Sequence, residues 1–216
     1  RGAPTRARET AAQLADPRAV AIVTGQQAGL FGGPLFTLLK ALTSLKLADQ
    51  VARDHRVPVV PIFWIDAEDH DWEEVRSCTV YDSSLAPQTV SLPSPPNAEP
   101  APVATVALDE TVVSALDELE RILPDTGFRA HLVAGLRRAY APGTGMVEAF
   151  GRWLEQLLGD RGLVVYDAAD AACVAGLPDA EVAPLLLGEC QRRELRVGPL
   201  GEHGPHWLAP AARQPR

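Results

Sequence analysis

Apolar positions along this chain fall into two kinds of run: short β-branched blocks, and longer stretches that repeat at three and four. Residues 20–24 (VAIVT) and 57–65 (VPVVPIFWI) are near-continuous apolar blocks bounded by turn residues. That is the pattern of strands buried on both faces. Between them Leu35, Leu38, Leu39, Leu42, Leu45 and Leu47 recur at mostly helical spacing, with Lys40, Lys46 and Asp49 interleaved. This predicts an amphipathic helix over 35–53, about five turns at ~3.6 residues each, with one face on a sheet. Pro34 suits its first position, where a missing N–H costs nothing. Pro58 and Pro61 remove ladder donors, so part of the second strand belongs at a strand end or an edge. Strand, loop, helix, strand is a βαβ unit, which implies a right-handed crossover and parallel strands.

The remaining pattern is coarser. A helix is expected over 5–15, ended by Asp16-Pro17, and a helical turn over 72–75. Residues 78–82 and 88–92 read as a hairpin. Five prolines in 93–102 mark a linker or exposed excursion. Residues 103–108 read as a last strand of that excursion. Helices follow over 109–123, capped by Asp109, over 128–140 and over 145–158. Residues 162–166 (GLVVY) should return to the first sheet. Beyond 171 the pattern decays: 182–195 could be one helix, and 197–216 is proline-rich without an apolar period. The expected division is 1–92 as the first part of a core, 93–160 as linker and helical connecting segment, 161–172 as the returning strand, and 173–216 as a poorly ordered tail. The expected fold class is α/β, a Rossmann-like parallel sheet with flanking helices, incomplete, with a helical excursion and an irregular carboxy-terminal tail.

Composition narrows the class of partner. The chain has 216 residues, is 46% hydrophobic and 22% charged, and carries a net charge of -8, which is ordinary for a globular domain. The acidic balance argues against a nucleic-acid backbone as partner. No apolar run approaches the ~20 residues of a spanning helix, and no signal-peptide pattern is visible. Cys78, Cys173 and Cys190 are odd in number and far apart, which suggests neither disulfides nor a zinc knuckle and fits a reducing cytoplasm. Position 1 is Arg, so the natural start is expected upstream.

Two loops carry chemistry. Residues 25–33 (GQQAGLFGG) hold four glycines in nine positions and precede a helix. They are neither a P-loop nor GxGxxG. Amides at a helix start attract anions, and Gln26 and Gln27 add groups that donate and accept; the plainer reading is a tight turn with solvated glutamines. Residues 66–71 (DAEDHD) place Asp66, Glu68, Asp69 and Asp71 around His70, four carboxylates in six positions. Such a cluster can bind an amine or hydroxyl, act as general acid and base, or hold a divalent metal. The plainer reading is a capped helix start. Both loops follow strand carboxyl ends, where open parallel sheets bind ligands. Phe63 and Trp64 read as core, with Trp64 also able to wall a pocket. Asp167 and Asp170 could face the same crevice. Cys78 reads as a small buried hydrophobe, and His55, His131, His203 and His206 as isolated.

Taken together, TGQQAGLFGGPLFTLLK and PIFWIDAEDHDWEEV closely resemble the amino-terminal part of the cysteine-adding enzymes (cysteine ligases) of bacillithiol biosynthesis. The resemblance is strong over 20–80, looser to GLVVYD near Asp167, and not visible beyond about 172. It implies a Rossmann-like core similar to class I aminoacyl-tRNA synthetase cores, and a cytoplasmic ligase joining the carboxyl of L-cysteine to the amine of glucosaminyl-malate. A nucleotide (ATP) is the activator it suggests. Gln26, Gln27, Gly29, Phe31 and Trp64 would bind substrate together with Glu68. Asp69, His70 and Asp71 would be catalytic, with no metal. The family dimerises through a coiled coil that is not visible here, and its members are considerably longer. A truncated or frameshifted reading, with the frame lost near Ala172, is therefore expected. The rivals are a nucleotide- or anion-binding module without turnover, and a metal-dependent hydrolase using Asp66, Glu68 and His70.

Overall fold

The chain begins with a short helix α1 (Thr5–Ala12), then lays down β1 (Val20–Gln27), α2 (Leu35–His55) and β2 (Val59–Asp66). A one-turn α3 (Trp72–Val75) leads into the antiparallel hairpin β3 (Ser77–Tyr81) and β4 (Pro87–Ser91). Three helices follow, α4 (Thr111–Ile122), α5 (Arg129–Ala139) and α6 (Met146–Leu158), and then β5 (Val164–Asp167). This computed structural model describes residues 2–94 and 101–169. The expectations for the tail 173–216, its reading frame and coiled coil, and for Asp170, Cys173, Cys190, His203 and His206, lie outside the described residues.

The main sheet is parallel, in the order β1-β2-β5. The returning strand therefore joins the first sheet, as its β-branched pattern predicts. Both crossovers step the same way across the sheet. Their helices α2 and α6 pack on one face, where Phe63 meets Phe150 of α6 with ring centroids 6.0 Å apart. The core continues from Phe63 and Ile65 through Leu154 and Leu158 to Leu116 and Leu119 of α4.

Four details depart from the sequence reading. First, β1 does not stop at Thr24 but runs to Gln27, paired with β2 out to Asp66. Gly25 permits this, because a Cβ there would lie 2.7 Å from the Trp64 carbonyl oxygen. Second, Pro61 sits inside the central strand rather than at an edge. Val20 N–H donates to Pro58 O, so alternate residues of β2 face β1 and Pro61 faces the other way. Pairing with β5 begins only at Ile62, so the missing N–H costs no ladder bond. Third, residues 103–108 hold a 3-10 turn (Val103–Thr105) and one isolated bridge, not a strand. Fourth, Pro34 is the residue before α2 rather than its first helical position. The buried stripe of α2 is made of Thr37, Ala41, Ser44, Leu45 and Ala48, whereas Leu35 and Leu39 are exposed.

Candidate functional site

Each strand end feeds one wall of the site. After β1, Ala28, Gly29, Leu30 and Phe31 turn into the core instead of outward. Phe31 adopts the left-handed region at φ 53, followed by Gly32 at φ 100. A phenylalanine there is strained, and its surroundings impose it. Its ring meets Tyr140 edge-on, centroids 5.3 Å apart. The Tyr140 hydroxyl donates to Gly29 O and accepts from Gly32 N–H, both at 2.9 Å. Tyr140 is fully buried, and burial pushes its phenol well above the ordinary range. Gly32 needs its missing side chain, since a Cβ would meet Trp153 Nε1 at 2.9 Å.

After β2 the chain behaves differently. Ala67 is buried, but Glu68, His70 and Asp71 are exposed and Asp69 is half-buried. The loop is tied to the 103–105 turn by Val103 N–H to Asp69 O at 2.8 Å and Ala104 N–H to Ala67 O at 3.0 Å. Asp71 caps α3 by accepting from Glu74 N–H at 3.1 Å. Glu68 and His70 make no side-chain hydrogen bond among the described residues.

The two walls meet at Gln27. Its amide nitrogen donates to Asp69 Oδ2 at 2.7 Å and to Glu74 Oε2 at 3.0 Å. Its own oxygen accepts from the Gln26 amide, whose oxygen in turn accepts from Lys40 Nζ at 2.8 Å. A polar relay thus runs from α2 across both glutamines to the acidic loop and α3. The Gln27 amide first, then the Asp71 N–H, hold the Asp69 carboxyl below the usual carboxylate range. Asp69 is therefore a firmly ionised acceptor.

Two open grooves share Gln26 and Gln27. One, of about 570 Å³, is lined by residues 23–27 of β1 with Trp64 and Asp66. The other, of about 400 Å³, runs past Gly29 and Gly33 to Glu74 and Cys78. Cys78 is half-buried in β3, and burial pushes its thiol up. Of the sequence candidates, Gln26, Gln27, Trp64 and Asp66 line the first groove, Gln26, Gln27 and Gly29 the second, and Asp69 is joined to both through its bond to Gln27. Glu68, His70 and Asp71 lie on the neighbouring loop. Phe31 lies behind the surface, in the core. Asp167 caps its own turn by accepting from Ala169 N–H at 3.0 Å. Lys40, Glu74, Tyr140 and Tyr166 were not singled out. No local pattern marks Tyr140, because its partners lie more than a hundred positions away.

The sequence itself matches a family. Residues 2–175 match the family model described as bacillithiol biosynthesis BshC, N-terminal Rossmann-like domain. The chain belongs to this family. A BshC relative from Salinibacter ruber is 38% identical over 172 residues, 79% of this chain and 31% of the relative. One from Symbiobacterium thermophilum is 35% identical over 182 residues, 79% of this chain and 33% of the relative. One from Bacillus licheniformis is 32% identical over 163 residues, 75% and 30% respectively. All three carry the name "Putative cysteine ligase BshC". This chain spans about a third of the length of these BshC relatives. No helix of the described residues is long and apolar enough to cross a membrane.

Proposed function

We propose that this BshC domain serves a cysteine ligase that joins the carboxyl of L-cysteine to the amine of glucosaminyl-malate. The observation that carries the reading is the Gln27–Asp69 hydrogen bond, 2.7 Å long, which joins the two peculiar motifs at one sheet edge. Both substrates bring an ammonium group, and Asp66, Asp69 and Glu74 surround Gln27 with carboxylates suited to it. Amide formation joins the amine nitrogen to the cysteine carboxyl carbon, breaks one of that carbon's C–O bonds with the oxygen leaving as water or on the group that activated it, and requires the attacking amine to lose a proton. In this reading exposed His70, beside Asp69, takes that proton, because its imidazole carries no hydrogen bond among the described residues while Asp69 is engaged by Gln27 and held below the usual carboxylate range. Glu68, Trp64 and Gln26 line the approach. Asp71 holds the loop to α3, Gly29 floors the second groove, and Phe31 sets the shape of the turn from behind.

The nucleotide suggested for carboxyl activation fits the glycine-rich turn poorly. Gly32 N–H is bonded to Tyr140, and Gly33 N–H donates to Leu30 O at 3.0 Å. Those amides are not offered to a phosphate, so no step is derived through one, and the anion-binding rival loses its cradle at this turn. For the hydrolase rival, no three His, Cys, Asp or Glu side chains among the described residues are grouped as a metal-ligand set. The test is mass spectrometry of low-molecular-weight thiols in cells with and without the gene. Bacillithiol should vanish on deletion and return on complementation. An unchanged thiol pool would sink the proposal.

A further inference from the structure

Hydrogen-bond polarity fixes the relay between α2 and the acidic loop. An ammonium only donates, an ionised carboxylate only accepts, and an amide side chain does both from opposite ends. Lys40 Nζ stands at one end of the relay, 2.8 Å from Gln26 Oε1. Asp69 and Glu74 stand at the other, where the Gln27 amide donates to Asp69 Oδ2 at 2.7 Å and to Glu74 Oε2 at 3.0 Å. Between a donor-only end and an acceptor-only end, the two amides can be satisfied in one sense only. Gln26 gives its oxygen to Lys40 and an N–H to the Gln27 oxygen, and Gln27 turns its N–H groups on the carboxylates. Turning either amide over would set N–H against ammonium or oxygen against carboxylate. Lys40 is itself held: its ammonium also donates to Gly25 O at 3.3 Å and lies 5.2 Å from the centre of the Phe36 ring, one turn back on α2.

The carboxylates need this arrangement. Asp69 belongs to the loop after β2 and Glu74 to α3, and Glu74 is exposed. Two like charges so placed repel, and the amide they share draws them to one point. Asp69 Oδ1 takes the Asp71 N–H at 3.1 Å. A carboxylate offers about four acceptor positions, so both groups keep lone pairs for a further donor. Gln26 and Gln27 line both grooves, whereas Lys40 lines neither. Lys40 therefore reaches a bound molecule through the glutamines.

We propose that Lys40 is a positioning residue. Through Gln26 it keeps the Gln27 amide turned toward Asp69 and Glu74, and so holds those two carboxylates side by side for the ammonium of the amine substrate. The substrate class rests on the ligase reading; the relay rests on the hydrogen bonds alone. Without the ammonium, Gln26 can turn either way, and Gln27 with it.

The first test is NMR of the 216-residue chain, following the Gln27 side-chain amide. Its N–H signals should stand apart from those of solvated glutamines, move to the solvated positions in Lys40→Met, and keep their place in Lys40→Arg. Solvated positions in the parent, or no movement in Lys40→Met, would overturn the proposal. The second test is kinetics in a full-length relative with Lys at the aligned position. Lys40→Met there should raise KM for the amine substrate about tenfold, the worth of a hydrogen bond to a charged group, with kcat within about threefold. Lys40→Arg should restore the parent KM. Gln26→Met, which cuts the relay and leaves the ammonium, should raise KM as much, and the double variant no more than either alone. Effects that multiply to about a hundredfold would overturn the proposal by making Lys40 a direct contact. An active parent with variants of unchanged KM would overturn it too. A parent that forms no amide would sink the ligase reading instead, and the relay would then stand or fall on the Gln27 signals.

Discussion

The two walls of the site are built in opposite ways. The turn after β1 has an unusual backbone but hides it: Phe31 and Gly29 are buried, and the Tyr140 hydroxyl closes the curve at both ends. The loop after β2 carries the reactive-looking side chains but stands mostly in solvent, held by two backbone bonds and one glutamine amide. The first wall is therefore a scaffold whose chemistry is used up internally. The second is a display whose side chains remain available. Stability and function should separate along that line.

Breaking the scaffold should have the largest effect. Tyr140→Ala removes a buried ring and orphans Gly29 O and Gly32 N–H. It should cost about 3–5 kcal/mol and lower the melting temperature by about 6–20 °C. Tyr140→Phe keeps the ring against Phe31 and should cost about 1–3 kcal/mol, the penalty of two unsatisfied polar groups. If the Phe variant melts with the parent, the hydroxyl bonds are not what shapes the turn. Next comes Gly25→Ala, whose Cβ would press on the Trp64 carbonyl in the middle of the β1–β2 pairing. A loss of about 1–3 kcal/mol in denaturant titration is expected; a neutral result would contradict the close approach.

The display wall should yield smaller stability effects and larger functional ones. Asp69→Asn and His70→Ala should each change stability by about 1 kcal/mol or less. In a full-length relative the aligned changes should abolish ligation. A collapse in melting temperature instead would make that loop structural. The smallest effect concerns the hairpin beyond α3. The Ser84 hydroxyl first, then the Gln88 amide and the Ala86 N–H, lower the Asp82 carboxyl from its ordinary 3.8 to about 2. A depressed value means that its stabilisation is complete above pH 3.8 and disappears as pH falls through about 2. The Asp82 resonance followed by NMR should report that midpoint; titration near 3.8 would refute it.

Much of this was legible in the chain itself. The long apolar period of α2, the β-branched blocks of β1 and β2, and the one-turn α3 all follow from local pattern. What local pattern could not supply were the longer-range arrangements. Nothing near Gly25 announces that Trp64 needs room there, so the pattern gives a strand three residues shorter. Pro61 argued for an edge because the late start of β5 pairing cannot be read from its surroundings. Residues 103–108 have strand-like composition, yet their backbone bonds go to the 67–69 loop and to the start of α6. Of the site, the residue types and the place of both loops at one sheet edge were accessible from the motifs, while the meeting at Gln27, the relay to Lys40 and the bracing by Tyr140 required coordinates.

The late pairing of β5 also has a consequence in time. Ile62 finds its partner Val164 only after about a hundred further residues have been made. At ~5–20 residues per second, that is a wait of about 5–20 s on the ribosome. Throughout it the middle strand has one backbone edge with nothing to bind, while α4, α5 and α6 are still emerging. Errors in making this protein should therefore concentrate in nascent chains stalled between those two strands, the stage at which a chaperone has most to shield.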